Sequence, residues 1–182
     1  MRFRTTTSVS LALAFALWPA IPALAQRHSD PLTNDEINQL RDTAVEPELR
    51  MKLFVQFARA RLVALEQMRA DPKTTDRGYQ THKLLDDFLT IYDELDDNLD
   101  NFEKRRDDLR KPLQAVIEGD TDFQAKLRAL KDSASAKPGE LKEYEVLLSD
   151  AIETVDTSAE DHHKLLAEQM EYWKKHKKAA NQ

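Results

Sequence analysis

Residues 84–134 read LLDDFLTIYDELDDNLDNFEKRRDDLRKPLQAVIEGDTDFQAKLRALKDSA. Apolar side chains recur here at steps of three and four residues, at Leu84, Phe88, Ile91, Leu95, Leu99, Phe102, Leu109, Leu113, Val116, Phe123, Leu127, Leu130 and Ala134. Because an α-helix has about 3.6 residues per turn, this spacing places them on one face. The phase continues through Pro112 and Gly119, and Arg106 and Asp120 are polar members of the stripe. The pattern predicts one long amphipathic helix.

A first helical segment precedes this stripe. Thr33 and Glu36 have the spacing of a capping box, in which each side chain bonds the backbone N–H of the other, so a helix is expected to begin here. The apolar phase continues across Pro47, which can occupy the first position of a helix because it needs no N–H there. We therefore predict that the helix axis bends at Pro47 and does not reverse.

Short loops at 70–75 and 133–139 separate the stripe from the first segment and from a last helix at 140–178. Connections this short require successive helices to run antiparallel. The sequence thus predicts an all-α fold, an elongated antiparallel three-helix bundle resembling a coiled coil. Its central helix is expected to kink at Pro112, because a proline ring clashes with the carbonyl four residues earlier. A four-helix bundle is the alternative, if the chain reverses at Pro112 or Gly119.

The first 25 residues have the layout of a secretory signal peptide. A basic start with Arg2 and Arg4 is followed by the apolar stretch 9–18, and Ala23-Leu24-Ala25 fits a cleavage site between Ala25 and Gln26. The apolar run is shorter than the ~20 residues that a membrane span needs. We expect the protein to be periplasmic or secreted, with no transmembrane segment in the mature chain.

Composition narrows the function classes. The mature chain would have 157 residues, the size of one domain, with a flexible leader at 26–32, a helical-bundle domain at 33–178 and a frayed end at 179–182. Loss of the two N-terminal arginines changes the formal charge from −6 to −8, which argues against a nucleic-acid partner. The chain has no cysteine, so disulfides, thiolate metal sites and thiol nucleophiles are excluded. No cofactor is expected.

Two groups of side chains are weak candidates for metal ligands, and one of them is in the last helix. Glu160, His162 and His163 include one Glu-x-x-His motif, whereas di-metal carboxylate bundles use two such motifs and two further glutamates. Equal rise along antiparallel helices would place His162 beside Lys111, whose charge repels a cation. We interpret His162 as a residue of the helix seam.

The second group is Asp96, Asn98 and Asp100, which match the first three ligand positions of an EF-hand loop. The sixth position needs glycine for its sharp turn, and Asn101 stands there. An intact helix would also spread these oxygens around its circumference. We interpret this group as a solvated acidic face, and no metal site is assigned.

Ser158, His162 and Asp120 supply the residue types of a Ser-His-Asp triad. The sequence contains neither a nucleophile elbow nor a phosphate-binding loop to accompany them. No catalytic residue is assigned, and the chain is not expected to be an enzyme.

Two surfaces are candidates for binding partners. The helix Leu49 to Leu65 is apolar over most of its circumference, and the thin end of a three-helix bundle would leave it without enough neighbours. We predict that a second copy, a protein partner or a client covers it. The basic segment 173–178 starts with Trp173; it can contact anionic lipid or an acidic partner, or offset the dipole of a helix C-terminus.

Leu32, Thr33 and Glu36 resemble the Leu-Thr-x-x-Gln motif of small periplasmic stress chaperones of the Spy and CpxP type, which are α-helical and act as cradle-shaped dimers. The motif covers about five residues and ends here in Glu. The capping box accounts for the same residues, so no family is assigned. We expect a non-enzymatic exported protein that acts as a scaffold, an adaptor or a chaperone-like binder. A periplasmic metal-binding or metal-sensing protein is the alternative.

Overall fold

The computed structural model describes residues 30–134 and 138–179, and all regular structure in these ranges is helical. The helices are α1 (Asn34–Asp42), α2 (Pro47–Ala70), α3 (Arg77–Lys104), α4 (Arg110–Ala134), α5 (Pro138–Leu141) and α6 (Glu145–Ala179). They pack against one another around an apolar core, so the all-α prediction is confirmed for the described ranges. The predicted signal peptide lies outside them. Within them, no helix is both long and apolar enough to cross a bilayer.

The predicted continuous central helix is wrong, because the chain reverses between α3 and α4. The rings of Phe88 and Tyr92 lie 5.3 and 6.0 Å from the ring of Phe123, measured between centroids. Residues about 30 positions apart would be separated by roughly 45 Å in one straight helix. The reversal occupies residues 105–109, upstream of Pro112, so the expected kink at that proline is also wrong.

A Schellman turn produces this reversal. Arg106 adopts a left-handed backbone conformation with φ of 62°, and its N–H donates to the carbonyl of Glu103 at 2.8 Å. The N–H of Asp107 donates to the carbonyl of Phe102 at 3.1 Å, which completes the motif. Glycine is the usual residue at the left-handed position, and its absence hides the helix end in the sequence. Pro112 then lies in the first turn of α4, where a missing N–H costs nothing.

Four long helices surround the core: α2, α3, α4 and α6. Helix α2 contacts both α3 and α4, and α6 contacts α4 extensively and α3 to a smaller extent. The ion pairs Arg59–Asp122 and Glu66–Lys126 keep nearly the same sequence separation, so α2 and α4 run parallel. The contacts of Phe123 place α3 and α4 face to face across the core.

The capping box is confirmed at the start of α1. The Thr33 N–H donates to Glu36 Oε2 at 2.7 Å, and the Glu36 N–H donates to Thr33 Oγ1 at 3.3 Å. The Glu36 carboxylate also accepts from the guanidinium of Arg61, and this arginine donates to the carbonyl of Pro31. Residues 30–32, the part of the predicted flexible leader that the structure describes, are therefore tied to α2.

The predicted bend at Pro47 is a reversal. Glu36 and Arg61 form an ion pair with both side chains 13% exposed, although 25 positions separate them, so α1 folds back along α2. The turn 43–46 closes with a hydrogen bond from the N–H of Glu46 to the carbonyl of Thr43. The apolar spacing continues across Pro47 because α1 and α2 both place an apolar face against the core. The spacing alone does not show whether the second helix continues in the same direction or turns back.

Much of the apolar circumference of α2 is covered within the chain, whereas Leu49 is 46% exposed. Phe54, Val55, Phe57 and Leu62 are 1 to 5% exposed. They are covered because α1, α3 and α4 all contact α2. The reversals of α1 and α4 give α2 more neighbours than a three-helix bundle would. The predicted partner of this helix stays a prediction.

Gly119 allows the close approach of α4 to α2. A Cβ at this position would lie 2.8 Å from Cγ1 of Val55, which is well inside van der Waals contact. Alanine gains about 1 kcal/mol of helix propensity, but overpacking a core typically costs about 1–3 kcal/mol. We expect Gly119→Ala to lower the free energy of unfolding in urea. In a Val55→Ala background the same change should be neutral or stabilising; an equal effect in both backgrounds would refute the close contact.

The left-handed conformation of Arg106 offers a second test. An L-residue in this conformation costs roughly 1–2 kcal/mol relative to glycine. Arg106→Gly should therefore be more stable than Arg106→Ala by about 1 kcal/mol in urea denaturation, since both remove the same side chain. Equal stability of the two variants would contradict a left-handed turn at this position.

Candidate functional site

Helices α3, α4 and α6 bring five polar side chains together in the core, and we call this group the histidine cluster: Tyr92, Asp96, Asp120, Ser158 and His162. Tyr92 and Asp96 lie one turn apart on α3, and Ser158 and His162 lie one turn apart on α6. Residues four apart share a helix face. Asp120 projects from α4 at a position of the apolar stripe.

Both ring nitrogens of His162 are held by carboxylates. Nδ1 lies 2.9 Å from Oδ2 of Asp120, and Nε2 lies 3.0 Å from Oδ1 of Asp96. The Tyr92 hydroxyl donates to the other Asp120 oxygen at 2.8 Å, and the Ser158 hydroxyl donates to the other Asp96 oxygen at 2.6 Å. His162, Asp120 and Tyr92 are at most 5% exposed, whereas the side chain of Asp96 is 32% exposed.

The charges of this cluster favour a protonated imidazole. Burial alone disfavours the charged ring, but hydrogen bonds to Asp120 and Asp96, together with their negative charges, outweigh it and raise the pKa of His162 to about 9. At neutral pH both nitrogens therefore carry protons and donate. Burial and the charge of Asp120 raise the pKa of Tyr92 far above its ordinary value, so its hydroxyl stays neutral and remains a donor.

This geometry determines what His162 can do. A protonated ring with two carboxylate partners has no lone pair for accepting a proton or binding a metal ion. Ser158 donates to Asp96 and forms no hydrogen bond with His162, so the arrangement differs from that of a nucleophile and its base. The described contacts are those of a buried ion pair that joins three helices.

The other weak metal candidates are dispersed. Glu160 and His163 are exposed on α6. Asn98 accepts a hydrogen bond from Arg50 Nε at 2.6 Å, and the side chain of Asp100 is 66% exposed. Of the six candidates, Asp96 and His162 hydrogen-bond to each other, and Asp100 borders the same cavity. Within residues 30–134 and 138–179, no group of three or more His, Asp or Glu side chains is arranged to hold a metal ion.

The sequence placed His162 beside Lys111, and this expectation is wrong. The short helix α5 follows α4, and α6 begins only at Glu145, beyond the predicted loop at 133–139. This later turn shifts the register of α6 against α4 by about nine residues, so Asp120 faces His162 instead. The sequence could have identified Asp120 as a site residue, because it is a carboxylate in an apolar stripe. No such indication existed for Asp96, because this residue lies outside the stripe, next to Leu95.

Two grooves border the helices. A cavity of about 330 Å³ lies between α3 and α6, bordered by Asp96 and His162 and by the carboxylates of Asp100, Glu103, Asp161 and Glu168. A second cavity of about 490 Å³ lies between α2 and α4, and we call it the apolar groove. Its lining is Leu62, Leu65, Ala70, Leu127, Ala129 and Leu130, with Glu66, Arg69, Lys126 and Ser133.

No protein-family model matches the chain, and no curated protein or solved structure is significantly similar to it. Function must then be inferred from the side chains and surfaces of the molecule itself.

The raised pKa of His162 predicts a pH dependence of stability. The folded-state pKa of about 9 exceeds the unfolded value of 6.5, so the stabilisation is complete below pH 6.5 and is lost as pH rises through 9. The free energy of unfolding should fall by roughly 3 kcal/mol over this range. Urea denaturation of wild type and His162→Gln at several pH values isolates the contribution, since all other groups titrate in both.

His163→Gln is the matched control, because His163 is exposed on the same helix. This variant should keep the wild-type pH profile. If His162→Gln and wild type lose stability in parallel between pH 6.5 and 9, the ring of His162 is not protonated in the folded state at neutral pH.

Proposed function

We propose that this chain is an exported, non-enzymatic protein with its four long helices in a four-helix bundle, and that it acts as a chaperone-like binder of polypeptides. The signal-peptide pattern of residues 1–25 supports export. The histidine cluster supports a non-enzymatic role, since its five side chains hydrogen-bond to one another and join three helices.

The apolar groove is the observation that carries this proposal. Four leucines that are 1 to 7% exposed form its floor, two from α2 and two from α4, and the exposed residues Ala70 and Ala129 lie beside them. Its volume of about 490 Å³ falls within the range of ligand-binding pockets. It extends over about two turns of each helix, which suits the apolar face of a bound helix or extended segment.

The rim of the groove favours a polypeptide over a small apolar ligand. Lys126 of α4 and Glu66 of α2 form an ion pair across it at 2.8 Å, and Arg69 lies one turn further along α2. A rim with both charge signs can pair with the mixed charges that flank apolar segments in unfolded chains. The large apolar side chains Tyr79 and Val146, 66 and 84% exposed, lie at the same end of the molecule.

A charge placed in the groove tests the proposal. Ala129 is exposed and lines the groove, so Ala129→Glu should block an apolar client and leave the core unchanged. Ala125→Glu is the matched control, because Ala125 is exposed one turn earlier on α4 and does not line the groove. The measurement is suppression of aggregation of reduced α-lactalbumin, with circular dichroism to verify folding.

We expect wild type and Ala125→Glu to suppress aggregation, and Ala129→Glu to suppress it several-fold less. Wild type without effect at a molar excess would refute chaperone-like binding. Equal suppression by both variants would instead refute the groove as the binding surface.

A further inference from the structure

The end of the molecule opposite the apolar groove combines basic and aromatic side chains. The last part of α6 lies beside the start of α4, where the Leu109 N–H donates to Oε1 of Gln169 and the guanidinium of Arg110 lies 5.4 Å from the ring centroid of Trp173. We call residues 104–111 and 170–176 the basic tip. It joins the chain reversal to the C-terminal part of α6.

Helix α6 extends beyond the other helices at this tip. It continues for six residues past Trp173 to Ala179, which corresponds to about 9 Å. Lys174 lies 3.6 Å from the carboxylate of Glu171, and Nδ1 of His176 lies 2.8 Å from the carbonyl of Tyr172, so both contacts stay within α6. The end of this helix therefore protrudes from the bundle.

The charge of the tip is opposite to that of the chain. Residues 104–111 contain five Lys or Arg side chains and two Asp, and residues 170–176 contain Lys174, Lys175 and one acidic residue, Glu171. The formal net charge of the whole chain is −6. The lysines of α6 suit the dipole of a helix C-terminus. Arg110 and Lys111 do not, because they lie in the first turn of α4, which contains no acidic residue. Their position opposes the helix dipole. Arg110 pairs with Asp108 at 2.6 Å, and Lys111, with its side chain 79% exposed, lies 3.8 Å from Glu48.

Apolar and aromatic side chains lie among these charges. Met170 is 52% exposed and Tyr172 is 40% exposed, and the rings of Tyr172 and Trp173 pack edge to face with centroids 5.5 Å apart. Tyr and Trp are enriched at the headgroup level of bilayers, and lysines beside them can reach lipid phosphates.

We propose that the basic tip docks onto the surface of an anionic phospholipid bilayer, with Tyr172 and Trp173 entering the headgroup layer. Lysine and arginine near such a surface are attracted to its negative potential. A protruding helix end suits a flat surface, which is why we favour a bilayer over an acidic protein. The apolar groove, at the far end, would then face away from the membrane.

Fluorescence of Trp173 tests the proposal at the site itself. The chain has two tryptophans, Trp18 and Trp173, and the protein that begins at the predicted cleavage site, Gln26, keeps Trp173 alone. Its emission should shift to the blue on addition of vesicles that contain phosphatidylglycerol and should not shift with pure phosphatidylcholine. The double variant Lys174→Glu/Lys175→Glu should weaken vesicle binding roughly thirtyfold or more.

The matched control is Lys73→Glu/Lys142→Glu, which makes the same change in net charge at the opposite end, where both residues are exposed. This variant should retain the blue shift. An unchanged Trp173 emission with anionic vesicles, or equal binding of the two double variants, would overturn the proposal. A shift with soluble polyglutamate but not with vesicles would also overturn it, in favour of an acidic protein partner.

Discussion

The ion pair of His162 with Asp96 and Asp120 determines how the long helices align. Apolar stripes allow two helices to slide by a turn with little change in buried area, because the pattern nearly repeats. A carboxylate that is 2% exposed at position 120 does not allow this, since any other register would leave a buried charge unpaired. Buried ion pairs contribute little net stability, and their best-supported role is to select one arrangement. The bond to Asp96 extends this selection from α4 to α3.

The alignment of the helices gives the two ends of the molecule different surfaces. Because α2 and α4 run parallel, the leucines of their second halves meet and form the apolar groove. The reversal at 105–109 places its arginines and lysines beside the end of α6, at the other end. An apolar, mixed-charge end and a basic, aromatic end thus lie on opposite sides of the ion pair. We propose that the end with the apolar groove contacts polypeptide and that the basic tip contacts lipid.

Much of the fold could be predicted from local patterns. The capping box of Thr33 and Glu36 and the loop after Ala70 follow from contacts between residues close in sequence, and the structure confirms both. The reversal at Arg106 could not be predicted in the same way. Its left-handed residue is an arginine, and the apolar phase continues across it, so neither of the usual signals of a helix end was present. The arginine in the stripe and Pro112 six residues later were the two clues.

The candidate site shows the same limit. The sequence marked His162 as a seam residue and Asp120 as a polar position in the stripe, but it paired His162 with Lys111. The turn between α4 and α6 lies later in the chain than the predicted loop, and this changed the register of α4 against α6. Asp96 was assigned to a solvated acidic face because the reversal at 105–109, which brings α3 beside α6, was missed.

The sequence by itself determined the helical class and the chemistry of each helix face, because these depend on residue type and local spacing. The tertiary structure decided the direction of the helices, the protonation of His162 and the positions of the groove and the basic tip. Direction depends on single turns, and protonation depends on which charges are buried together. Neither property is a function of periodicity, since an apolar face looks the same whether the next helix continues or turns back.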